Sequence, residues 1–299
     1  MHFGSFVAAV ASYAEARSHG GVWLVRIEDL DPPRVVAGAA DDILRTLEAC
    51  GLHWDGSVVY QSQRFDAYHA ALHFLRKLKV IYPCACSRRE IADSALAGIE
   101  GQVYPGTCRG GLASDKHVRA WRINTHGVRI AFKDVLQGKI EQDLEHEIGD
   151  FVLYRFDRVF VYQLAVVIDD AEQGITDVVR GADLLDSTPR QIYLQRLLGL
   201  PALRYMHVPV AVDHHGKKLS KQTLAAAINT KNPLPILLAA LHFLGHEPPP
   251  EIATVDIATL WQWTIKHWHC SRVPREKWLL YSYPGGQWNG LPASRCKCR

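Results

Sequence analysis

Three cysteines within one short stretch carry the first chemistry legible in the chain. "YPCACSRRE" sets Cys84 and Cys86 as a C-x-C pair, and "VYPGTCRG" adds Cys108 shortly after Tyr104. Clustered thiols with little apolar sequence around them suit Zn²⁺, whose tetrahedral shell takes sulfur at about 2.3 Å, and a metal there would stand in for a missing core. The fourth ligand is open, with His117 a candidate by chemistry and Tyr104 by proximity; unrelated buried cysteines are the plainer alternative. Cys50, Cys270, Cys296 and Cys298 form no such group. A second signal is "HHGKKLSKQT", where Lys218 and Lys221 flank Ser220 in a loop after the strand-like "YMHVPVAV". Two ammonium groups at a sheet edge suit phosphate, although a solvated turn would read the same way. A third is the opening "MHFGSF", which puts His2, Gly4 and a possible N-cap, Ser5, at a helix start, where free N–H groups favour an anion.

The elements that must position these groups follow from periodicity. Phe6, Val7, Val10, Ala11 and Ala14 share one helical face, and Gly20-Gly21 end it. "VWLVRIEDLD", Val22 to Asp31, reads as a buried parallel strand delivering charge at its end, closed by Pro32-Pro33. Residues 37–50 and 65–78 repeat as helices. The runs "VFVYQLAVVIDD" and "GITDVVRGADLL" read as two further strand-like segments ending in acids or Arg, before a helix from Thr188 to Leu198. Strand and helix alternate, so the class is α/β, a Rossmann-like doubly wound parallel sheet. Between Ile81 and Gly149 the texture changes to short, Cys- and Gly-bearing segments, which predicts an insertion. The predicted organisation is a first core half at 1–80, the insertion at 81–149, a second half at 150–215, the lysine loop and a short helical region at 216–278, and a disordered tail at 279–299.

With 299 residues and a formal net charge of +3, the chain can bury one large core or two smaller ones, and the charge permits a nucleic-acid partner without requiring it. No apolar run reaches the roughly 20 residues of a membrane span, and charges interrupt the first helix, so neither a membrane protein nor a signal peptide is read; the cytoplasm and a monomer are the default. Arg88, Arg89, Arg109, Lys116 and Arg119, with Lys266, Arg272 and Lys277, are the cations available to phosphates.

"HFGS" and "KLSK" together resemble the signature motifs of class I aminoacyl-tRNA synthetases. With "RIEDLDPPR", "LHWDG", "QSQR", "VYQLAVVIDD" and "VVRGADLL" in order, the chain resembles the glutamyl-Q tRNA(Asp) synthetases from His2 to about Lys277. That resemblance implies ATP-dependent activation of L-glutamate to the adenylate and transfer to queuosine in the anticodon stem-loop of tRNA(Asp). It implies His2, Gly4 and Lys221 at ATP, with His2, Lys218 and Lys221 catalytic and Mg²⁺ accompanying ATP. It further implies Glu28, Tyr162 and Arg180 at glutamate, and Cys84, Cys86, Tyr104 and Cys108 as the zinc ligands. With only the residues after Gln222 to form it, the expectation is a chain without the helical anticodon-binding region of ordinary glutamyl-tRNA synthetases. One departure stands out: in the family a strand and loop resembling "RFAPSPTG" precede the histidine motif. The expectation is therefore that the natural protein begins upstream of Met1 and that an interior strand is missing here, a truncated chain being the alternative. A tRNA-binding relative without activity and a same-fold enzyme for another acid are the competing functions.

Overall fold

The computed structural model describes residues 1–31, 35–92, 97–99, 101–219 and 228–281. Helix α1 (Phe3–Ser18) buries Phe6, Val7, Val10, Ala11 and Ala14, as its periodicity predicts. Its N-cap is His2 rather than Ser5: the imidazole accepts from the Ser5 backbone N–H at 3.3 Å. The helix stops at Gly20, whose φ of +66° favours glycine, and Gly21 N–H closes the end on the Ala16 carbonyl. Of the expected strand from Val22 to Asp31, only β1 (Arg26–Ile27) is ladder-paired, in parallel with β2 (Val59–Tyr60). The partner is short because the chain turns into a 3₁₀ segment at Gln61. Between them lies α2 (Ala39–Ala49), and beyond them α3 (Phe65–Lys77), inside the two periodic stretches.

The next region holds β3 (Ile81–Cys84), α4 (Arg88–Ala92), β4 (Ala97–Gly98), β5 (Gly101–Gln102), β6 (Ala120–Ile123), β7 (Arg129–Asp134), β8 (Gly138–Asp143), α5 (Leu144–Glu147) and β9 (Val152–Arg155). Strands β3, β6 and β9 form an antiparallel sheet of their own. The β7–β8 hairpin does not stay with them. After α6 (Tyr162–Glu172), β10 (Asp177–Gly181), α7 (Thr188–Leu198) and β11 (Arg204–Val208), the sheet order is β10-β11-β7-β8, parallel except for the hairpin. The stretch 81–149 is therefore not one inserted unit: its hairpin extends the sheet of the second half. The run from Val159 to Asp170, expected as a strand, is mostly α6, with Gln163 to Asp170 all buried. A helix buried on every side loses the polar face that marks its period.

Strand β12 (Val210–Val212) pairs in parallel with β13 (Trp278–Leu280), after α8 (Leu234–Phe243) and α9 (Ile257–His267). Tyr281 stacks on Phe3 with ring centroids 3.6 Å apart. The boundary at 278/279 thus falls inside a strand, and the predicted tail is structured through Tyr281; residues 282–299 lie outside the described residues. Two cores result. One gathers α1, α8 and α9 around Phe6, Val10, Leu241 and Leu260, and the other packs α3, α6 and α7 around Tyr68, Phe160, Leu164 and Leu194. Each fully buried side chain of this size contributes roughly 1.5 to 3 kcal/mol of transfer free energy. The sheets are mixed, the class is α/β, and no helix among the described residues is long and apolar enough to cross a membrane.

Candidate active site

The stretch 21–28, which includes β1, and strand β10 face each other across a cavity of about 940 Å³, closed from below by α6 and from the side by α1. Glu28 enters from just past the end of β1, Tyr162 from the first turn of α6, and Arg180 from β10. Glu28 and Arg180 lie at the C-terminal ends of β1 and β10, strands of separate sheets, where parallel strands release side chains into an open crevice. Arg26 Nη2 donates to Asp170 Oδ1 at 2.8 Å and lies 3.5 Å from Glu28 Oε1. Arg180 Nη1 donates to the Tyr162 hydroxyl at 3.1 Å. The Glu28 side chain keeps 40% of its surface open, yet cavity walls surround it, and that loss of water raises its carboxyl above the usual range. Burial raises Asp170 and Tyr162 in the same sense. Arg26 and Arg180 oppose the rise at Glu28 and Asp170 without outweighing burial, so a ligand bearing an ammonium group would favour their ionised forms.

Below the cavity, Asp169 anchors α6 to the rest of the molecule. Its fully buried carboxylate accepts from Gln61 Nε2 at 2.8 Å, the Tyr68 hydroxyl at 2.8 Å and Arg64 Nε at 2.5 Å.

A second polar corner lies at the start of α1. A Cβ on Gly4 would stand 3.0 Å from the Leu219 carbonyl, so glycine there lets the helix start approach the lysine loop. Burial lowers the proton affinity of His2, and the nearby Lys218 cation adds to the effect. Lys218 itself pairs with Asp183. The "HFGS" segment and the Lys218-Leu219 end of the loop therefore meet in space, while Ser220 and Lys221 lie outside the described residues.

The cysteines form a third arrangement. Cys84, Cys86 and Cys108 hold their sulfurs within 4.8 Å of one another, and the Tyr104 hydroxyl lies 3.3 Å from Cys84 Sγ and 3.5 Å from Cys86 Sγ. Tetrahedral bonds near 2.3 Å separate sulfur ligands by about 3.8 Å, so the donor set can hold a metal ion. His117 is exposed and outside the cluster. Burial pushes the Cys86 thiol up to about 11, while hydrogen bonds from Tyr104 and the Ala85 backbone outweigh burial and lower Cys108. Arg122 closes the cluster, its guanidinium 4.0 Å from the Tyr104 ring centre and its Nε 3.3 Å from Cys84 Sγ.

The model of the class I tRNA synthetase (E and Q) catalytic domain matches residues 1–233. A protein of Dechloromonas aromatica named glutamyl-Q tRNA(Asp) synthetase is 56% identical over 282 residues, covering 94% of each chain. The chain belongs to the glutamyl-Q tRNA(Asp) synthetase family. A Geobacter sulfurreducens member of this family is 50% identical, over 92% of this chain and 90% of that one. The fold also matches a solved glutamate tRNA ligase of Elizabethkingia meningosepticum with a TM-score of 0.75 at 22% identity. The match covers 92% of this chain and spans 64% of that longer chain.

Within this family frame, the cavity unites all three residues singled out for the amino acid, and the cysteine cluster unites all four singled out for metal. Sequence reading missed Arg26, Asp170, Asp134 and His207. The first two were visible as charges ending "VRIED" and "VVIDD"; the last pair gave no signal, because Asp134 and His207 are brought together only by the pairing of β7 with β11. Arg109, read as a cation open to phosphates, instead binds Asp150 through Nε at 2.6 Å and Nη2 at 2.8 Å and reaches Glu145 at 3.1 Å.

Proposed function

We propose that the protein activates L-glutamate with ATP and transfers the glutamyl group to queuosine in the anticodon stem-loop of tRNA(Asp). The observation that carries this reading is the convergence of Glu28, Tyr162 and Arg180 on one cavity in a chain of this family. Glu28 accepts the substrate ammonium group, and Arg180 with Tyr162 takes the side-chain carboxylate, a charged hydrogen bond worth roughly 1.5 to 3 kcal/mol. The α-carboxylate then attacks the α-phosphate of ATP, forming a carbon–oxygen–phosphorus anhydride as pyrophosphate leaves. His2, beside Gly4, and Lys221 meet the charge that shifts onto the phosphates, and Lys218 joins them once it exchanges Asp183 for phosphate. Mg²⁺ accompanying ATP would supply screening of the remaining charge. A hydroxyl of the queuosine cyclopentenediol next attacks the activated carbonyl, AMP departs, and the ester needs positioning more than acid or base help from the protein.

Cys84, Cys86, Tyr104 and Cys108, between β3 and β6, would hold Zn²⁺, which would stabilise a region poor in apolar contacts, apart from the chemistry. The strands on the two sides of the cavity are read as halves of one Rossmann-like doubly wound sheet. The protein works as a cytoplasmic monomer. Glutamate-dependent ATP–pyrophosphate exchange, followed by transfer of labelled glutamate to tRNA(Asp) with and without queuosine, tests the reading. Exchange with glutamate and transfer only to the modified tRNA are expected. Exchange with a different acid, or tRNA binding without exchange, would replace it with the corresponding alternative.

A further inference from the structure

The Arg180 guanidinium is held on most of its edge before any substrate arrives, and the deepest hold comes from a buried pair on the neighbouring strands. Asp134, at the end of β7, and His207, in β11, have fully buried side chains, with Oδ2 and Nδ1 2.6 Å apart. The other carboxylate oxygen accepts the backbone N–H groups of Leu136 and Gln137, each at 2.9 Å. Asp134 is thus an acceptor on both sides, and it draws the imidazole proton to Nδ1. Nε2 is left with its lone pair. Arg180 Nε donates to that lone pair at 3.1 Å, and Thr188 Oγ1, which itself accepts from Arg180 Nη2, lies 3.1 Å from the same nitrogen.

The rest of the guanidinium is accounted for in the same way. Nη2 donates to Thr188 Oγ1 at 2.9 Å and to Gln191 Oε1 at 2.7 Å. Nη1 gives one N–H to the Tyr162 hydroxyl, which leaves its second N–H next to the cavity. Because the Tyr162 oxygen already accepts from Arg180, the phenol proton turns to the ligand. Two donors, one from each residue, then converge on the same side of the cavity.

We propose that His207 is a positioning residue for Arg180: by accepting from Nε it turns the guanidinium so that the glutamate side-chain carboxylate meets Nη1 and the Tyr162 hydroxyl rather than the Nε–Nη2 edge. This role rests on the proposed function and deepens it. A carboxylate offers an acceptor to each donor, whereas the amide of glutamine would bring its NH₂ group against one of them, leaving donor facing donor. The selectivity therefore depends on which ring nitrogen of His207 carries the proton. A ring protonated at Nε2 would set N–H against the Arg180 Nε–H, turn to Thr188 Oγ1 as its acceptor in competition with Arg180 Nη2, and so release the guanidinium from its orientation. Burial lowers the proton affinity of His207, in keeping with a neutral ring; the charged groups facing it are Asp134 on β7, Arg180 on β10 and Asp183 in the turn after β10.

The test exchanges the tautomer with little change in shape. In Asp134→Asn the amide oxygen stays with the Leu136 and Gln137 N–H groups, so the NH₂ faces His207 and drives its proton to Nε2. Imidazole ¹⁵N spectra of the wild-type protein should show a protonated Nδ1 and a bare Nε2 at His207, and the variant should show the reverse. In exchange assays the variant should raise the glutamate KM roughly tenfold and lower the preference for glutamate over glutamine by a similar factor, with kcat and the ATP KM within about threefold. His207→Gln, which can place an acceptor near the Nε2 position, should retain more of the glutamate preference than His207→Leu, and this pair carries the test if Asp134→Asn does not fold. A wild-type Nε2–H tautomer, or a folded Asp134→Asn with unchanged glutamate KM and preference, overturns this role alone. Wild-type protein without glutamate-dependent exchange overturns the proposed function, and this role with it.

Discussion

The cavity beside β10 and the cysteine cluster near β3 are both polar sites, and their internal bonding is opposite in kind. In the cluster each group is satisfied by a neighbour: the thiols by Tyr104 and by one another, Tyr104 by Cys108 N–H, and Cys84 by Arg122. Around the cavity, burial lifts the carboxyls of Glu28 and Asp170 although Arg26 lies between them. Neither Arg26 nor Arg180 outweighs burial at these two acids, so a cationic ligand would favour both in their ionised form. A closed donor set serves structure, and an open, strained charge balance serves binding; burial alone does not separate the two.

The largest effect that would break this comparison is expected at Arg180. Arg180→Ala removes one of the two donors for the side-chain carboxylate and lets Tyr162 relax, so kcat/KM for glutamate in the exchange assay should fall roughly 10- to 150-fold, the rate equivalent of a charged hydrogen bond. Melting temperature should change far less than activity. A variant with near wild-type kcat/KM would move substrate recognition away from this cavity.

At the cluster the balance should invert. Cys108→Ser should abolish bound zinc, read by elemental analysis of protein purified without chelator, and loosen the segment around Tyr104 in hydrogen exchange, while glutamate-dependent exchange stays within about threefold. Wild-type protein containing no zinc, or a variant whose exchange collapses with its zinc, would contradict a purely structural metal.

How far sequence alone reached depends on how local each signal is. Helices α2 and α3 were legible because each keeps a polar face, α1 by the apolar period that ends at Gly20, and α7 shows its Pro189 near the start and its Gly199 stop, φ +66°. Helix α6 was misread because its interior is buried throughout and its alternation vanishes. Glu28, Tyr162 and Arg180 were named through the family resemblance and the three clustered cysteines through their spacing, and each set is brought together in space. The Asp134–His207 pair was not, since one residue lies in the stretch read as an insertion and the other in the second core half. Only the hairpin's return to the main sheet joins them. Arg109 failed for a related reason: a cation beside a cluster looks solvated until its buried partner, Asp150, is known.

Arg109 gives the next test, intermediate in size. Asp150 has a fully buried side chain, bound by Arg109, Tyr82 and Thr125. Arg109→Ala would leave that carboxylate with less compensation and should destabilise the protein by about 3 kcal/mol in urea unfolding. The salt dependence of tRNA binding should keep its slope, since no phosphate contact is lost. A stable variant with a shallower slope would instead return Arg109 to the nucleic-acid surface.

The smallest effect is one of pH, and its sign separates the two kinds of site again. The folded-state proton affinity of Glu28 is raised, so protonation begins at a higher pH than in an unfolded chain, whose glutamates titrate near about 4.3. Ionised Glu28 therefore opposes folding slightly in the absence of ligand, and stability from this group rises as pH falls through its elevated range. Binding responds in the other direction: the substrate ammonium group needs the carboxylate, so the glutamate KM should climb as pH drops through that same range, by no more than about tenfold per unit. Asp134 and Asp150 are held below the usual aspartate range, the first chiefly by His207 and the second chiefly by Arg109, with burial opposing both. Their contribution to stability persists above about 3.9 and is lost at lower pH, beneath the window in which Glu28 titrates. A glutamate KM measured from neutral pH into mild acid should thus rise while the protein remains folded, and Glu28→Gln should bind glutamate weakly with this rise removed. A KM that stays flat in wild type until the fold itself melts would take the ammonium group away from Glu28.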